Sequence, residues 1–260
     1  MKKYILIILL VNVLYIPMRA QLAKENTENP PAEGFNLLES DARAIQIADE
    51  VMKAMGGRQN WDNTRYISWN FFGRRKLLWD KWQGDVRIEV DSTIYLVNIA
   101  KNTGKVKKGN EIITHPDSLQ KYVDRGISIW INDSYWLVMP FKLKDSGVTL
   151  KYIGERNTAA AKPADVLQLT FQNVGRTPEN KYWVYVDKDS RLVTQWEYYQ
   201  KYTDEKPQIV NPWENYKKQG NILLSGDRGE NRKLTDIAVY NNVPESAFTS
   251  FNAVNYSNLK

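Results

Sequence analysis

Along most of the chain apolar and polar residues alternate with period two, and in two stretches the spacing shifts to three and four. In residues 41–55, Ala44, Ala48, Val51, Met52 and Met55 fall on one helical face. Ser40 or Asp41 supplies the cap, and Gly56 with Gly57 ends the run. A single apolar stripe implies packing against a sheet. A second helix is predicted from Asp117 to about residue 132, where Leu119, Tyr122, Val123, Ile127 and Trp130 recur at helical spacing behind His115 and Pro116. Gly126 costs about 1 kcal/mol relative to alanine and marks a point for a break or bend. Residues 136–141, which include Pro140, form an apolar patch read as a short helix or turn.

The period-two segments predict a meander of strands at residues 65–73, 76–82, 86–91 and 93–99, with further strands at 148–153, 166–171, 181–187, 192–200, 213–220, 222–225 and 233–240. In the clearest of them Val86, Ile88 and Val90 face one way, while Arg87, Glu89 and Asp91 face the other. The first face is core and the second reads as solvated. Residues 102–110 read as a glycine- and lysine-bearing connection holding at most a short strand around Val106. Asp187, Lys188, Asp189 and Ser190 form a hairpin turn whose Asp and Ser side chains bond the local backbone. The result is an α+β fold, mostly β, in which one curved antiparallel sheet wraps around the helices.

The ends of the chain change the picture. Lys2 and Lys3 precede an apolar run over residues 4–16 broken only by Asn12, which reads as a signal peptide over residues 1–20. The run is shorter than the roughly 20 apolar residues that a membrane-spanning helix needs. Residues 21–38, polar and bearing Pro30 and Pro31, read as a flexible leader to a single domain over residues 39–260. The chain has no cysteine, so it has neither disulfides nor the lipid-accepting Cys of a lipoprotein signal. A mature chain of about 240 residues buries roughly 70–75% of its unfolded surface without such staples. These features place an exported, soluble protein in a periplasm of the Gram-negative type.

Charge and chemistry exclude more than they assign. The net +6 arises from 36 Lys and Arg against 30 Asp and Glu. These are scattered along the sequence without the dense basic stripe of a nucleic-acid binder, although a mild bias towards anionic lipid remains. His115 is the only histidine, so neither a Cys/His pair nor a histidine-based metal site is available, and no phosphate-binding glycine loop is present. Asp80, Asp85, Glu89 and Asp91 lie close in sequence, and a glycosidase needs two acids about 5–10 Å apart. Strand alternation places Glu89 and Asp91 on the solvated face. Asp145, Glu155 and Glu197 have no recognisable partner. No catalytic residue, metal ligand or cofactor is assigned. Aromatic content stands out instead, with nine Trp, fifteen Tyr and seven Phe. Most serve as strand-forming core, and some are expected to wall an apolar site.

Residues 48–62 (helix, Gly56-Gly57, Trp61), residues 66–89, the run from Asn132 to Phe141 and the hairpin of residues 182–197 together resemble the LolA/LppX-like family of periplasmic lipoprotein and lipid carriers. The resemblance implies an incomplete, half-open antiparallel β-barrel with helices packed in its concave face, and acyl chains held between sheet and helices. On that basis the expected ligand-binding residues on the first meander are Trp69, Phe71, Leu77, Trp79, Val86 and Ile88. Those expected elsewhere are Trp130, Trp136, Met139, Phe141, Trp183 and Trp196, with residues 130–141 forming a lid. The function implied is a non-catalytic carrier of a hydrophobic small molecule, lipid or lipoprotein acyl chain. A cell-envelope protein-interaction module is the first alternative, and a carboxylate-dependent hydrolase the second.

Overall fold

Six strands follow one another through short turns at the start of the domain. They are β1 (Tyr66–Phe71), β2 (Arg75–Asp80), β3 (Asp85–Val90), β4 (Thr93–Asn98), β5 (Thr103–Lys108) and the short β6 (Glu111–Ile112). Asn102 takes a left-handed conformation (φ 52°) that few residues other than glycine, Asn and Asp adopt readily. It thereby folds the expected connection into β5, with Val106 buried opposite Tyr95. With β14 (Leu234–Tyr240) on the far edge, the antiparallel order is β14-β1-β2-β3-β4-β5-β6. This computed structural model describes residues 28–172 and 175–260. The expected signal peptide and the leader up to residue 27 lie outside the described residues.

The second half forms β7 (Val148–Asn157), β8 (Pro163–Phe171), β9 (Lys181–Asp187), β10 (Val193–Tyr199) and β11 (Ile209–Pro212), paired in the order β11-β10-β9-β8-β7. A hairpin of β12 (Glu214–Gln219) and β13 (Ile222–Asp227) stands apart. The one continuous sheet read from the sequence is therefore three hydrogen-bonded ladders. Pro212 lacks the N–H that would carry the ladder of β11 onward, and the buried Trp213 joins β11 to β12. The sheets are antiparallel and not closed into a barrel. The half-open, mostly β architecture with helices is thus the one expected.

Among the described residues four α-helices accompany the strands: α1 (Ala42–Ala54), α2 (Arg58–Asn63), α3 (Pro116–Val138) and α4 (Ser246–Thr249). Asp41 occupies the N-cap of α1, but its carboxylate accepts from the backbone N–H of Tyr152 (3.0 Å), and the Ser40 hydroxyl accepts from that of Leu150 (3.0 Å). Both side chains dock α1 on β7 rather than cap its own first turn. Residues 28–38, expected as leader, are tied down as well. Ala32 donates to the Lys144 carbonyl (3.0 Å), Asn36 donates to that of Val148 (3.1 Å), and Phe35 is buried. One apolar anchor and the carbonyls of residues 144 and 148 were enough to order a segment that its polarity had marked as loose.

Helix α3 runs unbroken through Gly126. A Cβ there would meet Tyr95 Cδ1 at 3.1 Å and Val97 Cγ1 at 3.2 Å, so the missing side chain lets the helix lie directly on β4. The expected bend gives way to close packing. Gly126→Val is predicted to lower stability by about 1–2 kcal/mol through overpacking. Chemical denaturation checks this, and an unchanged midpoint would show that the contact is slack.

The face of β3 read as solvated is exposed at Asp91 and half-buried at Glu89, but it is covered at Arg87. Arg87 is 0% exposed, and its guanidinium donates to the carbonyls of Ala247 (3.2 Å), Ser250 (2.8 Å) and Asn252 (2.9 Å). The segment containing α4 lies across the outer side of the sheet, where Tyr66, Leu78, Val243 and Ala247 form a small second core. The main core extends from Phe35 to Leu234 and joins the inner faces of the two larger ladders to α1 and α3.

Candidate functional site

Where the second half of α3 approaches the paired ends of β8 and β9, a cleft of about 660 Å³ opens. Trp130, Tyr135 and Trp136 from α3 line it together with Phe171 at the end of β8 and Tyr182 near the start of β9. The walls are mutually braced. Tyr182 stacks on Trp196 (5.1 Å, 10°), Trp196 meets Trp136 edge-on (4.8 Å), and Tyr135 packs against Tyr182 (5.3 Å). Trp130 is held from behind by Trp79 in a T-shaped contact at 5.2 Å. Offset and edge contacts of this kind each add about 0.5–1.5 kcal/mol beyond the burial of area.

Polar side chains share the lining: Ser128, Asn132, Ser134, Ser146, Thr177 and Asn180, with Arg176 as a cation. Lys142 and Asp145 both line it and form an ion pair with each other, so they bring it no net charge. The Tyr135 hydroxyl and the Trp130 indole N–H are sealed from solvent and have no hydrogen-bond partner among the described residues. Burial pushes the Tyr135 phenol well above its ordinary value, with the phenol of Tyr182 and the Asp145 carboxylate acting in the same direction. It therefore stays a neutral O–H donor. An unsatisfied buried donor costs about 1–3 kcal/mol.

Two arginines, a half-buried Arg75 and a buried Arg228, fix α3 above the sheets. Arg75, at the start of β2, makes a two-point contact with Asp133 (2.6 and 2.9 Å), a residue with 0% exposure in the middle of α3's apolar face. Arg228, just after β13, donates to the carbonyl of Trp136 (2.7 Å) and lies 3.3 Å from the ring centre of Trp213.

Of the residues expected to bind ligand, only Trp130 and Trp136 line this cleft. Trp69, Phe71, Leu77, Trp79, Val86, Ile88, Met139, Phe141 and Trp196 are buried in the main core. Met139 and Phe141 belong to a 3-10 turn, Met139–Lys142, and Phe141 stacks on Trp61 at 4.3 Å. That part of the expected lid is buried in the main core. Trp183 lies on the opposite face of β9, with Ala164, Val166 and Tyr185 and beneath the Arg156 guanidinium (4.6 Å). Strand alternation alone places Trp183 opposite Tyr182, and this was the signal that identifies Tyr182 as the inward residue. Tyr135 and Phe171 had no such signal.

A second cavity, of about 540 Å³, runs along α1, but Glu28, Arg43, Asp49, Glu50, Lys53 and Arg58 line it and make it ill suited to an apolar guest. The suspected carboxylates are engaged structurally. Asp80 pairs with Arg65 (2.9 Å), Glu89 with Arg87 (2.5 Å), and Asp85 accepts from Asn98 (2.7 Å). Among the described residues no group of three His, Cys, Asp or Glu side chains is placed to hold a metal ion. No helix among them is long and apolar enough to cross a membrane.

No protein-family model matches the chain, and no curated protein does. Among solved structures it is similar to a DUF1329 family protein from Desulfovibrio piger, at 14% identity over 84% of this chain and 99% of that one, with a TM-score of 0.42. A putative outer membrane lipoprotein-sorting protein domain from Vibrio parahaemolyticus is similar at 10% identity over 79% and 96% of the two chains, with a TM-score of 0.39. MucB in complex with MucA is similar at 15% identity over 79% of this chain and 58% of that one, with a TM-score of 0.24. No property of these proteins is carried over on likeness at that level. The half-open arrangement of antiparallel strands and helices rests on the chain's own ladders.

Proposed function

We propose that this chain is a non-catalytic, exported binding protein that holds an apolar ligand, a lipid or another acyl-bearing molecule, in the cleft between α3 and the ends of β8 and β9. The observation that carries this reading is a cleft of about 660 Å³ with five aromatic walls and two buried, unpartnered donors. Its volume falls within the roughly 300–1,000 Å³ of small-molecule sites, and its aromatic walls suit the apolar part of a guest while Asn132, Arg176 and Asn180 offer polar contacts. Export rests on the basic and apolar N-terminal pattern. The interaction-module alternative calls for a contiguous exposed apolar patch. The exposed large apolar residues described are Leu38, Trp82, Ile112, Tyr202 and Val210, and only the last two flank the same connection.

Tyr135→Phe separates binding from folding. It removes an orphaned hydroxyl, so the ligand-free protein is expected to gain about 1 kcal/mol of stability, while binding of a fluorescent fatty-acyl ester weakens about tenfold. Melting curves and probe titration measure the two effects. A native protein that takes up no probe, and that shows no co-purifying lipid in native mass spectrometry, would sink the proposal.

A further inference from the structure

The basic residues that look scattered in sequence are gathered by the fold at one edge. β5 buries Val106 and turns Lys105 and Lys107 to the opposite face, with Lys108 at its end and Lys101 in the turn before it. On the first half of α3, which packs on the Val106 face of β4 and β5, Lys121 and Arg125 are exposed one turn apart, so the two groups of cations flank the edge from opposite sides of the sheet. Residues 101–125 thus carry these six cations against Glu111, Asp117 and Asp124. None of the six joins an ion pair among the described residues, whereas Lys142, Lys144, Lys151, Lys188 and Lys233 each do. Glu111 stands opposite Lys108 in the ladder without pairing with it. Beside this strip, Ile112 is 53% exposed. Lysines on an edge strand also discourage strand addition, which accounts for β5 but not for Lys121 and Arg125 on the helix.

We propose that the β5–β6 edge, with the adjoining first half of α3, is a docking surface for an anionic lipid bilayer. Unneutralised cations release little binding energy to water, but each contributes roughly fivefold to association with an anionic surface. The exposed Ile112 supplies a small apolar contact at the headgroup level. Along α3, at 1.5 Å per residue, Arg125 lies about 5 Å and Lys121 about 10 Å before Ser128, the first of the cleft-lining residues on that helix.

Flotation with vesicles containing phosphatidylglycerol, compared with pure phosphatidylcholine, tests this using the protein without added ligand. Binding is expected to the anionic vesicles only, and to be lost in 1 M salt, where the screening length falls to about 3 Å. Lys105→Gln, Lys107→Gln and Lys108→Gln together should weaken it about a hundredfold, and the pair Lys121→Gln and Arg125→Gln roughly twentyfivefold. The exposed residues Lys206, Lys217 and Lys218, changed to Gln together, remove the same charge and should leave affinity within about twofold. An equal loss in that control, equal binding to neutral vesicles, or no vesicle binding would overturn the proposal. The last outcome would leave an acidic protein as the partner of the strip.

Discussion

Arg75→Leu is expected to cost about 3–5 kcal/mol of stability at neutral pH, because it strands a buried carboxylate. Asp133 would keep only the amide of Asn132 (2.9 Å) as a partner. In the native chain burial already holds the Asp133 carboxyl above the usual carboxylate range, against the opposing pull of the Arg75 guanidinium. Removing Arg75 raises it further. A carboxyl whose folded value exceeds its unfolded one takes up a proton on folding. Its stabilising contribution is therefore full below the unfolded value near 3.9 and is lost as pH rises through the folded value. The variant's deficit should accordingly shrink as pH falls from 7 towards 4. Urea unfolding at several pH values measures this, and Asp133→Asn in the variant background should recover much of the loss at pH 7. A deficit that does not change with pH would mean that the pair matters only through packing.

The second large effect is expected at Arg228. Its guanidinium is buried and forms no ion pair with any described carboxylate, and burial lowers its pKa to about 9, which leaves it charged at neutral pH. What holds the charge is a set of carbonyls: Ser225 (2.8 Å), Asp227 (2.8 Å) and Trp136 (2.7 Å), with the face of Trp213 below. The Trp136 carbonyl is in the last turn of α3, where the helix dipole favours a cation. Four residues on stands Pro140, which has no N–H to offer it. Arg228→Met leaves that carbonyl buried and unsatisfied, at about 1–3 kcal/mol, and removes a desolvated cation–π contact of about 2 kcal/mol. Relief from burying the cation offsets part of this, and a net loss of roughly 3 kcal/mol is expected. Because Pro140 creates the vacancy, the loss should be smaller in a Pro140→Ala background. Thermal unfolding of the four proteins in this double-mutant cycle tests the coupling, and strict additivity would refute it.

Strands were the most legible feature of the sequence. Lys181–Asp187 was read without error, and β1 to β4 within a residue or two at each end, because period-two alternation survives wherever one sheet face is core. What failed was the inference from polarity to exposure. Arg87 obeys the alternation, yet a segment some 160 residues later in the chain covers it, and no local pattern encodes that contact. Residues 28–38 failed for the same reason in reverse. The cleft was half legible. Tryptophan abundance pointed to Trp130 and Trp136, but nine of the twelve expected residues are core, since bulk alone does not separate a wall from a plug. The two residues that supply the cleft's chemistry beyond Trp130, Tyr135 and Tyr182, are tyrosines whose role depends on what is absent around a hydroxyl or on which face of a strand turns inward.

The division of the sheet into separate ladders bears on where the fold yields. Among the described residues no strand pairing joins the seven-stranded ladder to the five-stranded one. Trp136 of α3 bridges them through ring contacts, with Phe72 after β1 on one side (5.3 Å) and Trp196 of β10 on the other. Rings slide without losing their contact all at once, because dispersion and hydrophobic forces have little directionality, whereas a hydrogen-bonded ladder resists shear one bond at a time. The seam is therefore where the two halves are expected to part first under stress: shear across it costs few hydrogen bonds, whereas shear within either ladder breaks a row of them.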